Sequence, residues 1–137
     1  MSEETCWWVD ANVLLRFLTG DPPELAGRAS RLLKEAERGG VPLRVHSVVV
    51  AETVWVLQSF YGYSKGEISS ALTPLLEHPA LRVEGARTVI RALEAMASSN
   101  VDFADALLAG TARSHGEGVA SFDRDFRKLD VQWREPD

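Results

Sequence analysis

The chain has 137 residues and a formal charge of −5, with 45% hydrophobic and 26% charged side chains. That balance belongs to a globular chain with a core of its own and excludes a disordered or fibrous one. No apolar run approaches the ~20 residues that a membrane-spanning helix needs. One domain over residues 1–137 is expected. A cytoplasmic location is expected too, because no basic start followed by an apolar stretch marks export.

The single cysteine, Cys6, allows no intrachain disulfide, and beside Trp7 and Trp8 it reads as a small buried apolar residue. His46, His78 and His115 lie too far apart in sequence for the usual four-ligand zinc set. With 20 acidic against 15 basic residues, binding of nucleic acid by bulk charge is disfavoured. A nuclease is not excluded, because cations held by an acidic cluster reverse the local field. Among the basic residues only Lys34, Lys65 and Lys128 are lysine; the rest are arginine, the side chain suited to bidentate phosphate contact.

Elements alternate in type along the chain. Thr5 to Val9 is a short β-prone run, and Ala11 to Leu18 a helix ended by Gly20, Pro22 and Pro23. Pro23 to Arg38 is amphipathic, with Leu25, Ala29, Leu32, Leu33 and Ala36 at helical spacing, and Gly39 and Gly40 stop it. Leu43 to His46 reads as a strand. Ser47 is the expected N-cap of a helix to about Tyr61. Val48, Val49 and Val50 favour strand locally, but the length of the apolar stretch decides for helix. Ser64 caps a helix from Lys65 to Glu77, which Pro79 breaks. Leu81 to Val83 is extended, Ala86 to Ala97 helical, and Asp102 to His115 a helix closed by Gly116. Val119 to Phe122 is a strand, Asp123 to Leu129 a short helical turn, and Val131 to Trp133 a last strand. Strands separated by helices imply parallel pairing through crossovers, hence a three-layer α/β/α domain around a small, mostly parallel sheet. In such sheets ligands sit outside the C-terminal strand ends.

That rule selects a set of acids. Asp10 and Asp123 each follow a strand directly, although either also suits an N-cap. Glu52 has Val48, Val49, Trp55 and Val56 three and four positions away, so it reads as a carboxylate on a buried face, to be neutralised from elsewhere. A structural arginine would serve; so would a metal shared with other carboxylates. Asp102 and Asp105 open the alanine-rich helix on one face. Asp102 has a ready explanation as N-cap, whereas Asp105 enters the sheet-facing region. Carboxylates ~4 Å apart repel by about 4 kcal/mol at an effective dielectric near 20, so such a set needs cations or protons. Hard oxygen ligands without His or Cys select Mg²⁺ or Mn²⁺, ions that lower the pKa of bound water and neutralise a phosphodiester transition state. Asp10, Glu52, Asp105 and Asp123 are therefore the expected catalytic and metal-binding residues.

Four stretches also resemble a known family: Val-Asp-Ala-Asn-Val-Leu-Leu-Arg-Phe-Leu (9–18), Val-Ala-Glu-Thr-Val-Trp-Val-Leu (50–57), Asp-Phe-Ala-Asp-Ala-Leu-Leu-Ala (102–109) and Ser-Phe-Asp-Arg-Asp-Phe (121–126). In order and spacing they are similar to PIN-domain ribonucleases, the VapC-type toxins of toxin–antitoxin pairs. The resemblance spans Trp8 to Trp133. It implies a PIN fold, Mg²⁺- or Mn²⁺-dependent RNA cleavage by the same quartet, an antitoxin protein that blocks the site, and a homodimer. Asn12 matches a residue that orients the first carboxylate, Ser121 a hydroxyl near the last, and Asp102 a frequent extra acid; Ala11 departs from a common Thr. Trp55, Phe60, Tyr61 and Tyr63 could form an aromatic dimer face, with core packing an equal or better use for Trp55 and Phe60. Arg82, Arg87, Arg113, Arg124 and Arg127 are candidates for steering an RNA backbone, or solvated helix faces.

Two other classes stay open. An Asp-based phosphatase or phospho-acceptor module would use Asp10, but the former normally has a second Asp where this chain has Asn12, and Lys128 is the only late lysine a receiver could use. A non-catalytic metal- or RNA-binding protein on the same fold is the other.

Overall fold

The computed structural model describes residues 5–137. Six α-helices and four short strands follow one another: α1 Ala11–Thr19, α2 Pro23–Gly39, β1 Leu43–Val45, α3 Ser47–Ser59, α4 Lys65–Leu76, β2 Leu81–Val83, α5 Ala86–Ser99, α6 Phe103–Ser114, β3 Val119–Ala120 and β4 Trp133–Arg134. A 3₁₀ turn, Arg124–Lys128, lies between the last two strands.

Local chemistry sets the helix ends. Asp10 caps α1, and Gly20, at φ 68°, closes it in the left-handed region that glycine enters without strain. Pro23 occupies the first turn of α2, where its missing N–H costs nothing. Ser64 and Glu67 form a reciprocal capping box at the start of α4. The cap of α3 is His46 rather than the expected Ser47: its Nδ1 accepts the Val48 N–H at 3.0 Å.

The sheet is all parallel and smaller than expected. β1 pairs with β2, Leu43 opposite Leu81 and Val45 opposite Val83, and these four side chains are buried while Arg82 faces out. The run Thr5 to Val9, expected as a strand, contributes a single parallel bridge, Trp8 to Arg44. Its ladder consists of Val9 N–H to Arg44 O at 3.0 Å and Arg44 N–H to Trp7 O at 2.8 Å, and β1 is too short to extend it. β3 and β4 form a separate parallel pair. Cys6, read as buried, is exposed, as are Trp7 and Trp8, while Val9 at the end of the run enters the core.

Two hydrophobic clusters result. The larger gathers Leu14, Val45, Val50, Leu57, Ile68, Leu72, Leu93 and Met96, among others, from α1, α3, α4, α5 and the first sheet. The smaller consists of Ala109, Val119 and Phe126, with Leu129, Val131 and Trp133 packed on it. Gly118 makes the second pair of strands possible: a Cβ there would sit 2.7 Å from the Gln132 carbonyl oxygen, which accepts the Val119 N–H. Gly118→Ala must push β3 off β4, at an expected cost of about 1–3 kcal/mol. A urea titration would read this as a lower midpoint at unchanged slope; an unchanged midpoint would show that β4 yields without loss. Among the described residues no helix is long and apolar enough to cross a membrane.

Candidate active site

The acids come from segments far apart in sequence. Asp10 stands at the N-terminus of α1, where its Oδ1 accepts the Val13 N–H at 3.2 Å, so the capping role is real and leaves the other oxygen free of it. Asp123 likewise caps the 3₁₀ turn, its Oδ1 accepting the Asp125 N–H at 2.9 Å. Ser121 fixes this corner from behind. Its Oγ accepts the Asp123 N–H at 3.0 Å, and its carbonyl accepts the Trp133 indole N–H at 2.9 Å. Asp102 holds the N-cap position of α6 but makes no side-chain capping bond; it lies 4.0 Å from the Lys65 ammonium instead.

Asp105, in the first turn of α6, meets Asp123, Asp102 and Asp125; neither Asp10 nor Glu52 is among the charges that act on it. Burial pushes its carboxyl above the ordinary carboxylate range; the charges of Asp123, Asp102 and Asp125, and a hydrogen bond with Asp123, push it further the same way. Desolvation and like charges both penalise the ionised form. Among the described residues no lysine, arginine or histidine forms an ion pair with Asp105 or Asp123. The neighbouring acids are treated differently: Asp125 pairs with Lys128 at 3.3 Å. Asp125 was not singled out from sequence. The signal was the Asp-x-Asp spacing of Asp123 and Asp125, whose charges both act on Asp105.

Glu52 does not lie on a buried face. Helix α3 buries Val50, Thr53, Val54 and Leu57 and turns the Val48, Glu52, Trp55 stripe outward, with Val48 63% and Trp55 66% exposed. Of its apolar neighbours Val49 and Val56 pack on the core while Val48 and Trp55 are in solvent; Glu52 is exposed with the latter and needs no neutralising partner. Trp55 and Phe60 are exposed as well, which removes the core-packing reading of both, while Tyr61 and Tyr63 pack against the large cluster. Of the arginines considered for steering RNA, Arg113 is held by Asp130 at 2.6 Å and the Arg127 Nε–H donates to the Arg124 carbonyl. Arg82, Arg87 and Arg124 are exposed. Asn12 is exposed on the first turn of α1.

Among the described residues no three His, Cys, Asp or Glu side chains converge as a ready-made metal cage. What converges is a pair of carboxylates, Asp105 and Asp123, opposed without a basic partner. That donor set fits a hard divalent cation: Mg²⁺ keeps several of its waters and is commonly held by one or two carboxylates together with substrate phosphates.

A family model described as PIN domain matches residues 8–132. The chain belongs to the PIN domain family. PIN domains are typically nucleases, hydrolases that generally use divalent metal ions, and the α/β arrangement of helices around small parallel sheets agrees with a PIN domain fold. A comparison with curated proteins finds no match.

Proposed function

We propose that this PIN domain is an Mg²⁺- or Mn²⁺-dependent endoribonuclease with a preference for single strands, the toxin of a VapC-type toxin–antitoxin pair acting in the cytoplasm. The observation that carries the reading is the contact of Asp105 with Asp123. Two abutting carboxylates without a cationic side chain between them cost the fold free energy, and a divalent ion at that point turns the cost into binding energy. Asp105 and Asp123 hold the ion in this reading, with Asp10 and Glu52 completing the acidic set. When bound, the metal supplies a water of lowered pKa and neutralises charge that develops on the phosphodiester.

The remaining side chains position these groups. Ser121 and the indole of Trp133 fix the corner from which Asp123 projects. Asn12, two residues after Asp10, orients that carboxylate, and Asp102, tethered by Lys65, adds negative potential at the mouth. The exposed Trp55 and Phe60 offer a dimer face or a surface for the antitoxin. Light scattering that finds only monomer at high concentration would exclude the homodimer.

The test is incubation of the purified chain with a mixed RNA pool in Mn²⁺, in Mg²⁺ and in chelator. Cleavage that requires metal is expected. Cleavage undiminished by chelator would overturn the metal-dependent reading, and an intact pool in every tube would count against a broad ribonuclease.

A further inference from the structure

An open groove of about 560 Å³ lies between α1 and α2, and of its lining residues only Asn12 has a part in the site above. From α1 it takes Asn12, Val13 and Arg16, one face of the helix that Asp10 caps; from α2 it takes the face that carries Arg28, Arg31 and Leu32. Along α2 it runs from Leu25 to Glu35, about 15 Å at the helical rise of 1.5 Å per residue. Its floor is apolar and its walls carry three guanidinium groups against one carboxylate, Glu35, in a chain of formal charge −5.

Those arginines are unspent. Among the described residues the ion pairs involve Arg113, lysines and histidines, never Arg16, Arg28 or Arg31. Arg16 is half-buried and donates one hydrogen bond, to the Asp21 carbonyl at 3.2 Å. Arg31 folds back along its own helix, its Nη1 3.6 Å from where a Cβ on Gly27 would stand. Arg28 and Arg31 are otherwise exposed. Guanidinium groups without carboxylate partners suit phosphate oxygens.

We infer that this groove carries the single-stranded RNA flanking the bond to be cut, with Arg16, Arg28 and Arg31 on its phosphates. The inference rests on the ribonuclease reading. Continuity favours RNA over an acidic peptide: Asn12 and Val13 belong both to the groove and to the first turn of α1, so a strand lying against Asp10 enters the groove directly. The apolar floor of Val13, Leu25, Ala29 and Leu32 accommodates sugars and bases between the phosphate contacts.

The experiment measures binding of a fluorescent 12-nucleotide oligouridine in chelator, across a salt series, by the parent chain and by Arg28→Gln/Arg31→Gln. Both positions are exposed, so the fold should survive, and melting curves check it. Loss of two phosphate contacts is expected to weaken binding by about tenfold or more. The slope of log affinity against log salt should fall by about 1.4, at roughly 0.7 per contact for a single strand. Arg38→Gln/Arg91→Gln, the same charge loss outside the groove, should leave affinity within about twofold and the slope nearly unchanged. Equal affinity and slope in parent and groove variant, or no binding by the parent, would overturn the inference. So would loss of polyglutamate binding with RNA binding intact, which would give the groove to an acidic protein. Cleavage of the RNA pool in Mn²⁺ is scored separately. If the parent cuts nothing yet the groove variant loses oligouridine, the nuclease reading fails and the groove stands.

Discussion

Asp105→Asn is expected to reduce metal-dependent RNA cleavage by more than about 100-fold, beyond the ~10–100-fold lost when groups behind a metal ligand are removed. The same substitution should make the metal-free protein more stable. Asp105 is pushed up by burial and by Asp123, Asp102 and Asp125, so its ionised form weakens the fold. The sign follows from linkage. A carboxyl that titrates higher folded than unfolded favours the fold fully below its unfolded pKa and loses that contribution as pH rises through the folded value. At neutral pH the parent therefore carries the repulsion and the asparagine variant does not. Asp105 is partly exposed, so solvent screening limits the effect to about 1 kcal/mol, the Coulomb value in water at 4 Å, or about 2–6 °C in melting midpoint for a domain of this size. Millimolar Mn²⁺ should raise the midpoint of the parent by mass action and that of the variant much less. Melting curves with and without Mn²⁺, beside the cleavage assay, measure both effects. A variant that cleaves like the parent would show the activity to be a contaminant's.

Phe126→Ala is expected to cost about 3–5 kcal/mol and to remove cleavage although Phe126 touches no substrate. The ring is the largest member of a cluster whose only other fully buried residues are Ala109 and Val119. Leu129, Val131 and Trp133, which pack on the cluster from its partly exposed side, can close the cavity only in part. The 3₁₀ turn that presents Asp123 and Asp125 is pinned by this side chain. Phe126→Leu keeps most of the volume and should recover most of the stability and the activity. Chemical denaturation gives the first quantity and the Mn²⁺ cleavage rate the second. Activity retained in Phe126→Ala at full loss of stability would show that Asp123 is held by the Ser121 and Trp133 hydrogen bonds alone.

The helices were legible in the sequence because their punctuation is local. Pro23 and Gly39–Gly40 bracket α2, Ser64 with Glu67 opens α4, and α6 begins immediately after Asp102. The elements that shrank depend on partners. The Thr5–Val9 run is β-prone, but its extent is set by the three residues of β1 opposite it. Val119–Phe122 ends as a strand at Ala120, where the Ser121 hydroxyl begins a turn instead. Asp105 and Asp123 could be chosen because each stands at the start of a helical segment beside the sheet. Glu52 was placed on the wrong kind of surface. Apolar neighbours at i±3 and i±4 signal burial only if that face meets something, and α3 is apolar on two sides, of which the Val48–Trp55 side is free. The Asp-x-Asp spacing marks Asp125 beside Asp123, whereas the arginines of the α1–α2 groove carry no sequence signal of their own. The arginines converge through the way two helices lie together, which is tertiary information.

The corner that presents Asp123 has a consequence for how the protein is made. β3 finds its partner only when Trp133 and Arg134 arrive, and the same indole closes the hydrogen bond on Ser121. Because a chain leaves the ribosome N-terminus first, Asp10, Glu52 and Asp105 are all exposed to the cell before the strand that steadies the last acid exists. A nascent or clipped chain that stops short of residue 133 lacks that strand. The complete acidic corner is thus a property of the finished chain alone.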